Sequence, residues 1–327
     1  MIDQASKRVF MLGATGTIGR AAARAMLDRG HEVVVFLRPR RDDRPLPQEL
    51  AGATSRFGDV VDPASLENDG FCGERFDALV SCMASRTGAP RDAWAIDYKA
   101  HSDALKAAKA AGIPQMVLLS AICVQKPLLE FQRAKLAFET ELQDSGLTWS
   151  IVRPTAFFKS LSGQLGRLKA GKPYLLFGDG TLTACKPISD GDLGNFLADC
   201  LTDPALQNRI LPIGGPGPAI TPKDQGEELF RLLGQEPRYK RVPPALLDVI
   251  IGFLSVGGAV VPSLKAKAEF ARIGRYYATE SMLVWDEATS RYDAEKTPSY
   301  GTQTLFDFYA KLVRGEIADD RGDHAVF

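Results

Sequence analysis

The chain has 327 residues, with 40 basic and 40 acidic side chains, so no net charge draws it to nucleic acid or to an anionic membrane. Hydrophobic residues at 45% and charged residues at 24% mark an ordinary globular protein, long enough for one nucleotide-sized domain and a smaller elaboration. Five scattered cysteines (Cys72, Cys82, Cys123, Cys185 and Cys200) lack CxxC or Cys/His spacing, which excludes a zinc or iron–sulfur framework and predicts reduced thiols.

The opening "MIDQASKRVFMLG" holds no apolar run of signal-peptide length. "RVFML" reads as the first strand, Thr17 to Asp28 as the first helix, "EVVVFL" as the second strand and "SRFGDV" as a weaker third. "DALVSC" follows as a strand, then a helix from about Asp92 to Ala111, then the strands "QMVLLS" and "WSIV". Between those last two lies the helix of "LEFQRAKLAFETEL". After "RPTAFF", Gly163, Gly166, Gly171, Pro173, Gly178 and Gly180 punctuate loops and a short hairpin. A helix near Asp192 to Leu201 leads back to the sheet at "RILPIGG". From about Gln235 helices and turns mix, and the tail "ADDRGDHAVF" is polar.

Strands alternating with helices in this way predict an α/β fold, a Rossmann-type doubly wound parallel sheet with a smaller C-terminal substrate-binding region. Residues 1–155 make the nucleotide-binding domain, with the sheet completed by about 190–234, and residues 156–189 and 235–327 make the substrate-binding and lid region. "ALLDVIIGFLSVGGAVVPSL", Ala245 to Leu264, is strongly apolar but carries Asp248, internal glycines and Pro262. A spanning helix needs about 20 apolar residues with few interruptions. A buried or lid helix, or one lying on a membrane surface, is therefore expected in preference to a span.

Gly13, Gly16 and Gly19 form GxxGxxG directly after a strand and at the start of a helix. Glycine permits the tight turn, lets the backbone of Thr15, Gly16, Thr17 and Ile18 approach a diphosphate, and allows close helix–strand packing. The helix N-terminus then turns N–H groups and a positive dipole end toward the phosphates. Where an NAD site carries an acid at the end of the second strand, this chain has "FLRPRR", with Arg38, Arg40 and Arg41. A guanidinium fork suits a 2′-phosphate, so NADPH is the expected cofactor, held by Arg38 and Arg41. Asp59 and Val60 in "GDV" are placed at the adenine edge, with a turn-forming role for Asp59 as the competing reading.

Together GATGxxG, the arginine after the second strand, "GDVVDP", "LLSA" and "RPT" resemble the atypical, NmrA-like short-chain dehydrogenase/reductase superfamily. Within it, "ICVQKPLLEFQRAKLAFETELQDSGLTWSIVRPTAFFKSLSGQ", "GDGTLTACKPISDGDLG" and "LPIGGPGPAITPKDQGEELFRLLG" resemble the divinyl chlorophyllide 8-vinyl reductases of chlorophyll and bacteriochlorophyll synthesis. The resemblance runs from about Lys7 to about Lys311 and implies NADPH-dependent reduction of a vinyl group on a magnesium tetrapyrrole, divinyl chlorophyllide or protochlorophyllide. The scattered cysteines predict a cytoplasmic protein, with peripheral contact at the photosynthetic membrane left open. An NmrA-type NADPH-sensing regulator, or an isoflavone-reductase-like enzyme acting on a smaller aromatic alkene, are the alternatives. Where ordinary superfamily members carry the tyrosine of a proton-transfer pair, this chain has Phe131, yet it keeps the lysine four residues on, Lys135.

Leu128, Phe131, Lys135, Phe138 and Leu142 follow helical 3–4 spacing, which puts Lys135 on the buried face, where an unpaired ammonium is costly. The resemblance gives Lys135 a catalytic, ribose-anchoring role, with Ser120 and Pro154 beside the nicotinamide. Adding hydride to a vinyl carbon produces no alkoxide, so a phenol has no oxygen to protonate there. Lys126, Glu130 and Lys135 are the candidate proton donors. Phe157 and Phe158 either stack on the macrocycle or pack the core beneath the lid, and Lys159 or Arg153 is placed to meet its propionate. None of the three histidines falls in the lid, so no axial metal ligand is expected.

Overall fold

A computed structural model describes residues 6–39, 45–258 and 261–318. Its strands are β1 (Arg8–Leu12), β2 (Glu32–Leu37), β3 (Thr54–Phe57), β4 (Ala78–Ser81), β5 (Gln115–Leu119), β6 (Thr148–Pro154), β7 (Tyr174–Phe177), β8 (Arg209–Ile213), β9 (Tyr239–Val242), β10 (Val284–Asp286) and β11 (Arg291–Asp293). Seven of them form one sheet in the order β3-β2-β1-β4-β5-β6-β8. Every pairing in that sheet is parallel. The order reverses at β1 and β4, and in doubly wound sheets a ligand crevice opens beyond the strand ends at that reversal.

Side chains alternate along each strand and so feed two separate cores. Val9 and Met11 of β1 pack with Val33, Val35, Val80 and Val117 beneath the helices Thr17–Asp28 and Asp190–Asp199. Phe10 and Leu12 face the other way, with Val34, Phe36, Leu79 and Met116, beneath the helices that carry Ala104 and Phe138. The first helix and the one at 190–199 cross closely at Gly194, where a Cβ would lie 2.6 Å from the backbone of Ala21. A third core, around Phe158, Tyr174, Leu229 and Tyr309, sits under the C-terminal region.

The helix expected over 92–111 starts earlier, at Pro90, and its turn Trp94–Ala100 is π-wound before His101–Ala110 continues as α-helix. The hairpin expected in the glycine-rich stretch does not form. Instead β7 pairs in parallel with β9, Tyr174 opposite Tyr239. The apolar run of β7 needs a partner, and the one it finds lies beyond the helix Asp190–Asp199, β8 and the helix Pro222–Leu233. The local hairpin of this region is β10–β11.

The apolar segment folds as the helix Ala245–Gly258, which turns back into the helix Pro262–Thr279. Asp248 is neutralised across this hairpin by Arg275 at 2.9 Å, and Arg272 donates to Ser255 at 2.8 Å. Leu246, Val249, Phe253 and Val256 recur at helical spacing and face outward, Phe253 and Val256 each 77% exposed. No helix among the described residues is long and apolar enough to cross a membrane.

Candidate active site

The first helix begins at Gly16 with no side-chain cap and no acid in its first turn. Its first N–H groups have no intrahelical acceptor, and the dipole leaves that end positive. Gly13 has φ of 76°, and a Cβ there would lie 2.5 Å from the Cys82 carbonyl carbon. A Cβ on Gly19 would lie 2.1 Å from the Gly13 carbonyl oxygen. Above Gly16, by contrast, a Cβ would meet nothing nearer than 3.5 Å. Thr15 and Gly16 are exposed, and Ile18 and Gly19 are buried. The loop is thus closed on the side facing the sheet and open on the side where a diphosphate would sit.

Arg38 follows β2 and is exposed; Arg40 and Arg41 lie outside the described residues. The turn after β3 is tied to the end of β2 by the Gly58 N–H on the Leu37 carbonyl, at 2.9 Å, which brings Asp59 to the same rim. The Asp59 carboxylate accepts the Val61 N–H at 3.0 Å, a turn bond, while Val60 packs against the core. Both readings of Asp59 therefore have a geometric basis.

Lys135 lies in the helix Glu130–Gln143 with its side chain 12% exposed, and its Nζ is 2.9 Å from Asp97 Oδ1. Asp97 is the partner that a buried lysine demands. It comes from the π-wound turn, and its carboxylate also accepts the Ser85 N–H at 3.2 Å. Burial opposes the charge on Asp97, but the Lys135 ammonium and the Ser85 N–H outweigh it and hold the carboxyl below its usual range. The neighbouring His101, bonded to Ser81 and the Ile96 carbonyl, is pushed down to about 4 by burial and by Lys135, and so stays neutral. Asp97 Oδ2, on the carboxylate that meets Lys135, is buried without a hydrogen-bond partner among the described residues. Such an orphaned oxygen beside an ammonium fits a site built to receive a hydroxyl group.

Several expected site residues point elsewhere. The Ser120 hydroxyl donates to the buried Glu139. Arg153 also turns inward onto Glu139, its Nε 3.1 Å from Oε2, because a carboxylate 1% exposed must be met by charge and donors. Pro154 ends β6 and is buried. Phe157 is half-buried at the edge of the first core. Of the two readings for Phe158 the core one holds: it is 3% exposed, with its ring centroid 5.5 Å from that of Phe308, and belongs to the third core. Phe157 is the extended N-cap of the short helix Phe158–Leu161, and the helix start turns Phe158 into the core while Phe157 stays at its edge.

Lys159, expected at a propionate, instead reaches Thr17 at the open end of the first helix, Nζ to Oγ1 3.0 Å. Nearby, burial pushes the Asp190 carboxyl up, while Lys159 and Arg20 pull it down. Of the candidate proton donors, Lys126 is bound to Glu280 at 2.7 Å and lies 4.9 Å over the Trp285 ring. Glu130 accepts from the Trp94 indole at 2.9 Å and pairs with Arg133. No group of side chains suited to a metal ion occurs among the described residues.

Residues 13–204, more than half the chain, match the NAD(P)H-binding domain family. The divinyl chlorophyllide a 8-vinyl-reductase of Arabidopsis thaliana is 51% identical over 326 residues, covering 95% of this chain and 78% of that protein. The protein of the same name from Oryza sativa subsp. indica is 50% identical over 331 residues, covering 98% and 82%. The chain belongs to the divinyl chlorophyllide a 8-vinyl-reductase family. Among solved structures it resembles AtPrR2 bound to NADP+ and (+)pinoresinol, with a TM-score of 0.67 at 19% identity over 94% of this chain and 98% of that one. It also resembles the Escherichia coli quinone oxidoreductase QOR2 with NADPH, with a TM-score of 0.66 at 18% identity over 93% and 99%. At that identity the structures establish the fold alone. As a member of this reductase family the chain is an NADPH-dependent oxidoreductase, and its open glycine loop, the exposed Arg38 and the orphaned Asp97 oxygen beside Lys135 fit that cofactor.

Proposed function

We propose that this chain reduces the 8-vinyl group of divinyl chlorophyllide or protochlorophyllide a to ethyl with NADPH. The observation that carries the reading is identity of about half the residues, along nearly the whole chain, with reductases named for that reaction. Phe131 beside Lys135 supports it chemically. A carbonyl reductase needs an acid at the substrate oxygen, whereas a vinyl reductase has no such oxygen and can do without the phenol. Bound NADPH supplies the hydride. The chain's own task is then orientation, with the diphosphate at Thr15–Gly19, the 2′-phosphate at Arg38 and Arg41, the adenine edge at Asp59 and Val60, and the ribose at Lys135.

Phe157 is the aromatic residue left to face a macrocycle, and Lys159 serves the cofactor side in this reading. Incubation with NADPH and divinyl chlorophyllide tests it: a small blue shift of the Soret band supports reduction. Binding of NADPH without any shift would favour a cofactor-sensing protein, and turnover of smaller alkenes alone would favour an isoflavone-reductase-like enzyme.

Cofactor choice gives an independent check. NADPH is expected to bind ten- to a hundredfold more tightly than NADH, since a charge-assisted phosphate contact contributes about 1.5–3 kcal/mol. Arg38→Asp should narrow or reverse the difference in a fluorescence titration, and equal affinities in the unmutated protein would exclude the 2′-phosphate site. We also infer that the outward apolar stripe of helix Ala245–Gly258 rests on the membrane surface, where tetrapyrroles partition, without crossing it. Release by an alkaline carbonate wash is the expected behaviour, and retention in the pellet would contradict it.

A further inference from the structure

The vinyl-reduction reading leaves a proton without a source, and the three candidates legible in the sequence are all held in ion pairs. A phenol nevertheless arrives at this site from another element. The helix Pro262–Thr279 lies over the loop after β5, with Ile273 and Tyr277, four residues apart, on one face. The tip of Ile273 and the ring of Phe131 converge on Gly88, where a Cβ would lie 3.0 Å from the first and 3.7 Å from the second. One turn on, the Tyr277 hydroxyl donates to Cys123 Sγ at 3.9 Å. Cys123 in turn feels the charge of Lys135. The hydroxyl therefore belongs to the cluster against which Phe131 packs, and it rests on a thiol within the field of Lys135.

Tyr276 shows what a purely structural tyrosine looks like here. It is 4% exposed, and its hydroxyl donates to the Cys123 carbonyl at 2.9 Å and lies 3.3 Å from that of Lys126. Tyr277 is only half-buried and has a thiol as acceptor, one of the weakest acceptors a protein offers. A phenol so weakly held can turn to a substrate at little cost.

We propose that Tyr277 is the proton donor that completes the ethyl group, replacing from the C-terminal helix the hydroxyl that Phe131 lacks. Hydride from the reduced nicotinamide forms a C–H bond at the outer vinyl carbon. The π pair moves to the inner carbon and the macrocycle. The Tyr277 O–H bond then breaks, its proton forms the second C–H bond at the inner carbon, and the phenolate regains a proton from solvent. The nicotinamide is oxidised and the vinyl group is reduced by two electrons. Burial pushes the Tyr277 hydroxyl well above its usual range, which keeps it in the donor form throughout neutral pH.

This inference rests on vinyl reduction, so the unmutated protein is assayed first; absence of turnover there counts against the reaction itself. With turnover established, Tyr277→Phe is expected to lower kcat about a hundredfold, the ordinary contribution of a general acid. Affinity for NADPH, and for divinyl chlorophyllide followed by Soret titration without cofactor, should stay within about threefold. Tyr276→Phe should lose stability and keep kcat within about threefold. A kcat for Tyr277→Phe within about threefold of the unmutated value would overturn the proposal.

If that variant does not fold, 3-fluorotyrosine at position 277 decides. Its fluorine resonance should move when divinyl chlorophyllide is added to cofactor-free protein. An unmoved resonance would overturn the proposal.

Discussion

Lys135→Met is expected to lower stability by about 3–5 kcal/mol, because it leaves a carboxylate buried without its countercharge. The Asp97 side chain is 0% exposed, and the Ser85 N–H remains as its other charge-stabilising donor. The same change removes the proposed ribose anchor, so NADPH affinity should fall as well. The two effects separate in the double variant Asp97→Leu with Lys135→Met. Replacing both partners by apolar side chains of similar size removes the unpaired charge, so most of the lost stability should return while the affinity stays low. Chemical denaturation and NADPH fluorescence titration measure the two quantities. Recovery of affinity together with stability would show that Lys135 only fills the core.

The second large effect is expected at the glycine loop. Gly19→Ala would put a methyl carbon 2.1 Å from the Gly13 carbonyl oxygen, a backbone atom that cannot move without dragging the loop. Overpacking of this kind costs about 1–3 kcal/mol, and displacing the first helical turn should lower NADPH affinity more than tenfold, about 1.4 kcal/mol or more. Gly16→Ala makes the informative contrast. The nearest atom to its Cβ lies at 3.5 Å and its φ is an ordinary −69°, so the thermal midpoint should hardly change. The methyl group would nonetheless occupy the space over which a diphosphate approaches, and affinity should still fall. Loss of midpoint at Gly16, or unchanged affinity at both positions, would contradict the assignment of this loop.

These contrasts follow the line between what the sequence shows and what it hides. The first strand, the glycine turn, the helix Thr17–Asp28 and β2 are legible because each is specified within a few residues, by alternation, by glycine spacing and by helical period. Phe131 and Lys135 are legible for the same reason, and the buried face on which the lysine sits follows from the spacing of Phe138 and Leu142.

What stayed hidden depends on partners far along the chain. Asp97 looks like one acid among many in "AWAIDYKAH" until the fold sets it against Lys135. The parallel pairing of β7 with β9 joins segments more than sixty residues apart, with no turn signal to announce it. Glu139 draws in both Ser120 and Arg153, and nothing local marks it as buried. Phe157 and Phe158 are chemically identical in the sequence, and only the third core decides which of them turns away from the surface. Tyr277 lies almost 150 residues from the helix whose missing phenol it would replace, so only the packing of Pro262–Thr279 over the β5 loop reveals it.

Vinyl reduction by this chain requires a hydride to pass from NADPH onto a vinyl carbon of a tetrapyrrole. The most direct test is a single incubation of the protein with divinyl chlorophyllide and NADPH deuterated at both C4 positions, with mass spectrometry of the recovered pigment. Transfer predicts an ethyl product carrying one deuterium, at the outer carbon, with a matching amount of oxidised cofactor. Recovery of unchanged divinyl pigment, or of an ethyl product without cofactor-derived deuterium, would contradict it.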